Sequence, residues 1–180
     1  MIVVLSFELT ILDWIQTNLR NPIMDLLVPA ITTLGNSGLI WIILAGILIL
    51  MPKYRKVGAA VMAGLVLEVV CCNLVLKPLV ARIRPCDVNT AVQLLIPRPD
   101  DFSFPSGHTG ASFAAVSVLY TSRNKLWIPS LILAVLIAFS RLYLYVHYPS
   151  DILAGVVIGI MAGGISTKLV DIVWRKRNTT

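Results

Sequence analysis

Charge is scarce in this 180-residue chain: 13% of residues are charged, against ~25% in ordinary soluble domains. With 57% hydrophobic residues and a mean hydropathy of +0.85, it cannot cover a soluble surface and also build a core. Its apolar content equally excludes disorder. Cysteine is sparse too. There are three, an odd number, and Cys71 and Cys72 are adjacent, which excludes a disulfide scaffold. Internal repeats and low-complexity tracts are missing, and histidine occurs only at His108 and His147. What is left is a polytopic membrane protein, short enough to be one domain over residues 1–180.

Fifteen lysines and arginines outweigh nine acids, for a net charge of +6. They fall in short clusters between apolar runs, the pattern of loops beside a bilayer. The expected partners are therefore the bilayer and its lipids, and no nucleic acid. Residues 1–20 lack the positive start and small-residue cleavage site of a signal peptide and are expected to be retained. Phe7, Ile11, Trp14 and Ile15 recur at helical spacing, with Glu8, Asp13, Gln16, Thr17 and Arg20 on the other side. That reads as an amphipathic helix lying in the interface.

Residues 22–174 read as a transmembrane core. Leu26 to Pro52 carries no charge and is broken by Gly35-Asn36-Ser37-Gly38, strong turn chemistry. Two spans, 22–34 and 38–51, are expected there, with one long span as the competing reading. Each short one falls below the ~20 residues a bilayer core asks for. Further spans are expected at 57–80, 107–121, 126–145 and 150–172. The fold class is thus an all-α membrane bundle of about six transmembrane helices behind an N-terminal interfacial helix, with one long loop at 81–105. Basic loops near residues 54 and 124 and the terminal Arg175-Lys176-Arg177 belong in the cytoplasm. Ten basic residues, Arg20 and Lys168 included, then lie inside, and Lys77, Arg82, Arg84, Arg98 and Arg141 lie outside. Those five violate the rule where the chemistry gathers.

Three clusters share that outer face. Lys77-x6-Arg84-Pro85 closes the third span, and Pro105-Ser106-Gly107-His108 opens the fourth. Ser140-Arg141-x5-His147-x3-Asp151 runs from the fifth to the sixth. Arginine offers a planar fork matched to phosphate oxygens, and lysine adds a point charge. Ser106-Gly107-His108 opens a helix whose first N–H groups have no internal partner and attract anions. Gly107 lets a phosphate approach the backbone. Two histidines beside such a cradle point to proton transfer and nucleophilic attack at phosphorus. Asp151, in the first turn of a helix opened by Pro149 and Ser150, can turn back on His147 and set its tautomer.

In order and spacing, these clusters resemble the tripartite signature of the type 2 phosphatidic acid phosphatase superfamily, over about residues 30–170. The short form is similar to the bacterial lipid phosphatases of that superfamily, and composition excludes its soluble haloperoxidase relatives. The resemblance implies that His147 attacks phosphorus to form a phosphohistidine and that Asp151 orients it. It implies that His108 protonates the leaving oxygen, and that Lys77, Arg84, Ser106, Gly107 and Arg141 hold the phosphoryl oxygens. It implies no cofactor and no metal, and no carboxylate cluster suited to magnesium surrounds the cradle. The implied substrate is a phosphorylated lipid, foremost undecaprenyl diphosphate, cleaved at the outer face of the plasma membrane. Phosphatidylglycerophosphate and phosphatidate are the alternatives. Readings of another class are a transporter, which would place polar sites near the bilayer midplane whereas here they gather at one face, and a non-catalytic lipid binder, which would be expected to have lost a motif residue although none is lost.

The remaining polar residues read more plainly. Glu68 is expected to make a buried contact between helices. Arg82 and Arg98 are read as solvated loop charges, with a headgroup contact as the alternative, and Asp100 and Asp101 as loop solvation. Cys71 and Cys72 are expected to pack, and Cys86 sits unpartnered in the outer loop. Trp14, Trp41, Trp127 and Trp174 are expected in the aromatic belts.

Overall fold

The computed structural model describes residues 2–179, with side chains from 6 to 176; Met1 and Thr180 of the single-domain reading lie outside them. The described residues form helices and no strands. They are α1 (Ile2–Asn18), α2 (Pro22–Leu34), α3 (Leu39–Leu50), α4 (Arg55–Val69), a π-helical stretch Val70–Leu76, the short α5 (Lys77–Val80) and α6 (Pro85–Val88), α7 (Gly107–Thr121), α8 (Trp127–Tyr143) and α9 (Pro149–Thr179). Local chemistry sets the ends. Asn21 caps α2 by accepting from the N–H groups of Ile23 and Met24, with Pro22 at the first helical position, where a missing donor costs nothing.

The all-α expectation holds. The run Arg55–Val88 and the helix Pro149–Lys176 are long and apolar enough to cross a membrane. α2 and α3 pass only as a pair bent by 46°. The bend falls at Ser37 and Gly38, both left-handed, with φ of 52° and 68°. α7, read from sequence as a span, has 15 residues, about 22 Å at 1.5 Å per residue against a ~30 Å hydrocarbon core. It is the central helix, enclosed by α4, α8 and α9.

The core has two parts. Trp41, Val61, Leu65, Val118 and Ile137 fill the space among α3, α4, α7 and α8. Trp41 is fully buried, and its Nε1–H donates to Ser112 Oγ at 3.0 Å, so it is no belt residue. The second part joins α1 to the Tyr143–Tyr148 segment through Leu12, Ile15, Cys86, Tyr145 and Tyr148. Cys86 is buried there. α1 presents Glu8 inward and leaves Phe7 and Trp14 exposed. Gln16 donates to the Tyr143 carbonyl at 2.6 Å, and the Tyr145 hydroxyl donates to Asp13 at 2.6 Å. Glu8, Asp13 and Gln16 of its polar side thus find protein partners, while Asp13 and Thr17 stay exposed. Arg20 belongs to the same end. It donates to the Gln93 carbonyl and pairs with Asp25, which accepts from the Tyr143 hydroxyl. Arg20 therefore shares the end of the 81–105 loop, and is not at the opposite end with the basic loops near 54 and 124, where the sequence reading grouped it.

α7 and α9 pack through Gly155, Gly159 and Gly163, one turn apart. A Cβ at Gly159 would lie 2.4 Å from the Gly110 carbonyl oxygen, and one at Gly163 2.5 Å from that of Ala114. Small residues let helix backbones approach this closely. Gly159→Ala must push the pair apart, and should cost about 1–3 kcal/mol, read as a lowered melting temperature in detergent. An unchanged melt would mean that the helices are not in this contact.

Candidate active site

α7 and α9 begin side by side, since the Ser106 N–H donates to the Asp151 carbonyl at 3.2 Å. Around their N-termini lies a cavity of about 830 Å³. Lys77, Arg84, Gly107, His108, Arg141 and His147 all line it. Ser106 and Asp151 do not reach it. The Ser106 hydroxyl is buried and accepts from Thr109 Oγ1 at 3.0 Å, and Asp151 lies behind His147. Apolar residues line it too, among them Ile42, Met62, Val66, Val69 and Val70. The π-helical stretch leads directly into Lys77 and carries Asn73, another lining residue. Such turns frequently mark functional sites.

His147, 2% exposed, sits between a guanidinium and a carboxylate. Its Nε2 lies 3.3 Å from Arg84 Nη1. Arginine has no acceptor, so Nε2 accepts, and the ring proton is assigned to Nδ1. That nitrogen faces Asp151 Oδ2 at 3.4 Å, within ion-pair range but without hydrogen-bond geometry. Burial pushes His147 down to about 3; Asp151 opposes the shift, and Arg84 and Arg141 reinforce it. The imidazole is neutral at physiological pH, the form that carries a free lone pair. Asp151 Oδ2 also accepts from the Ser103 hydroxyl at 2.5 Å and from the Tyr148 N–H at 2.8 Å.

Arg84 is the hub of the cations. It donates to the carbonyls of Asp101 at 2.8 Å, Val146 at 2.6 Å and Phe102 at 3.3 Å, and to the Asp101 carboxylate. Lys77 pairs with the same carboxylate. Partial burial works against ionisation of Asp101, but Lys77 and Arg84 outweigh it and hold the carboxyl at about 2. An anion entering the cavity would have to compete with Asp101 for both cations. The sequence reading of Asp101 as loop solvation is thereby replaced. Arg141 is buried, donates to Thr32 Oγ1 at 2.7 Å, and keeps its Nε unpartnered.

Asn36 is a site residue that sequence reasoning missed. Its Oδ1 lies 2.9 Å from His108 Nε2. A Cβ at Gly35 would lie 2.9 Å from His108 Cδ2, so the turn seats directly on the imidazole. A signal was present: non-helical backbone at membrane depth is tolerated only where it is buried in protein or lines a cavity. Glu68 is buried and lines the cavity, with Oε1 unpartnered; a Cβ on Gly110 would meet that oxygen at 2.4 Å. Arg98 pairs with Asp87 at 2.9 Å and donates to the Cys86 carbonyl. No group of three or more potential metal ligands occurs among the described residues.

Residues 56–175, which contain all three clusters, match the family model of the PAP2 superfamily. The chain belongs to the PAP2 superfamily. Among PAP2 proteins it is similar to the undecaprenyl-diphosphatase of Sulfolobus acidocaldarius, 35% identical over 131 residues, which are 72% of this chain and 63% of that protein. It thus spans just under two thirds of that relative's length. It is also 31% identical to the lipid A 4'-phosphatase of Bacteroides thetaiotaomicron, over 81% of this chain and 69% of that one. The crystal structure of Aquifex aeolicus LpxE matches with a TM-score of 0.77 at 31% identity, covering 89% of this chain and 94% of that one. The fold is therefore shared with LpxE, and the sequence with proteins whose names are those of phosphatases.

Proposed function

We propose that this chain is a metal-independent membrane lipid phosphatase, one membrane-embedded domain that works through a phosphohistidine. The observation that carries the reading is the convergence of Lys77, Arg84, His108, Arg141 and His147 on one cavity that apolar residues also line. The phosphate would sit among the cations, with the N-terminus of α7 at Gly107 beside it. The lipid tail would leave along Ile42, Val66 and Val70 into the bilayer. His147 Nε2 attacks phosphorus, the bond from phosphorus to the leaving oxygen breaks, and His108 supplies that oxygen with a proton. Water then attacks the phosphohistidine with His108 as base, which releases inorganic phosphate and restores His147. Lys77, Arg84 and Arg141 stabilise the equatorial charge of both transition states.

Undecaprenyl diphosphate, cleaved to the monophosphate, is the favoured substrate; the name of the Sulfolobus acidocaldarius relative supports it. A phosphate-release panel in excess chelator tests both points. Polyprenyl diphosphate should show the highest kcat/KM, ahead of phosphatidylglycerophosphate and phosphatidate. A strict magnesium requirement, or no phosphate release from any of them, would refute the reading.

The site would face the extracytoplasmic side of the plasma membrane, in a bundle of about six crossings with α1 lying across the outer interface. Lys56 and Asp171, paired at 2.8 Å, would mark the cytoplasmic end. Cys86 is buried and is a poor reporter, whereas Thr90 in the same loop is exposed. Thr90→Cys should react with an impermeant thiol reagent in intact cells. Labelling only after lysis would reverse the orientation.

A further inference from the structure

Arg82 occupies one of the variable positions between Lys77 and Arg84, and Glu8 lies outside the 56–175 stretch that carries the PAP2 match. The fold joins them behind the site. Arg82 Nη2 donates to Glu8 Oε2 at 2.6 Å, and Nη1 donates to Asp151 Oδ1 and Ser150 Oγ, each at 2.6 Å. Its guanidinium lies 3.8 Å from the centre of the Tyr148 ring. Glu8 Oε1 accepts the Ser150 N–H at 2.9 Å. Glu8 is 5% exposed and Asp151 0%. Arg82 is neither a solvated loop charge nor a headgroup contact, because both its arms are held by buried carboxylates.

We infer that Glu8 and Arg82 are positioning residues for phosphoryl transfer, which set the orientation of Asp151 and through it that of His147. The inference rests on the phosphohistidine reading above. Asp151 Oδ2 faces His147 Nδ1 while it also accepts from Ser103 and Tyr148. The carboxylate's terminal torsion is soft, so the plane of the group depends on what holds its other oxygen. Arg82 holds Oδ1. Arg82 in turn is kept from swinging out by Glu8 and by the Tyr148 ring. Glu8 also accepts an N–H in the first turn of α9, an open donor that an acidic group stabilises, and that turn carries Asp151. Partners of this outer kind set the geometry of the groups that react. α1 thereby acts on the site without touching it.

The test separates positioning from a purely structural clamp that fastens α1 to the bundle. Kinetics on the purified full chain, with polyprenyl diphosphate as substrate, would compare wild type with Glu8→Gln, Glu8→Asp, Arg82→Gln and Arg82→Lys. Leu12→Ala, in the buried α1 contact, serves as the structural control, and His147→Ala tests the parent reading. Glu8→Gln and Arg82→Gln should each lower kcat at least tenfold with KM within twofold. Glu8→Asp and Arg82→Lys should recover at least a third of the lost rate. Leu12→Ala should lower the melting temperature with kcat within twofold. The inference is overturned if the two glutamine variants keep wild-type kcat, or lose it only as the folded fraction falls. Activity retained in His147→Ala would instead overturn the phosphohistidine reading, and this inference with it.

Discussion

His147→Ala is expected to lower phosphate release by about 10³-fold or more and to leave the melting temperature close to wild type. The side chain is buried and neutral, with Nδ1 towards Asp151 and Nε2 beside Arg84. Nε2 is thus the one imidazole nitrogen turned to the cations that would hold a phosphoryl group. His108 keeps its Nε2 on Asn36, and the hydroxyls of Ser103 and Ser106 are buried against Asp151 and Thr109. Because burial holds His147 near 3, the attacking form is fully populated at pH 6. The acid limb of kcat/KM should therefore not follow an ordinary histidine near 6.5. A variant that keeps more than about a hundredth of the rate would show that the nucleophile lies elsewhere.

Arg84→Lys should be nearly as damaging, although it preserves charge. Arg84 is 2% exposed and ties the 101–102 segment to the 146–147 segment with a fork of donors. A lysine ammonium is a point charge on a flexible stem and cannot reach those carbonyls together. The Val146 carbonyl would lose a buried partner, a cost of about 1–3 kcal/mol. The oxygen-binding fork would be lost, a cost of about 10²-fold or more in kcat. The expected result is a lower melting temperature together with a lower kcat, measured in the same detergent. Wild-type kinetics in Arg84→Lys would exclude a bidentate role.

The chemistry-bearing positions were legible because they sit at helix boundaries, where Pro, Gly and charge interrupt apolar runs. Lys77, Arg84, Gly107, His108, Arg141 and His147 were all singled out from those interruptions, and the fold brings them to one cavity. The partners that hold them were not legible. Glu8, Asn36, Asp101 and Ser103 come from α1, the bent turn and the long loop. In one dimension each looks like an ordinary turn, cap or solvated residue.

By itself, then, the amino-acid sequence determined a membrane-embedded helical protein and a phosphate-directed set of cations and histidines. Hydropathy and motif spacing are local properties, and a chain carries them without folding. Which cation meets which carboxylate was decided only by the tertiary structure. Arg82 and Arg84 are two residues apart, yet one turns behind the site to Glu8 and Asp151 and the other turns into it against His147. That choice depends on where α1, the 101–103 segment and the start of α9 come to lie. A buried charge settles on whichever opposite charge the packing brings within reach, because leaving it unpaired in a medium of low polarity costs more than any local preference can offset.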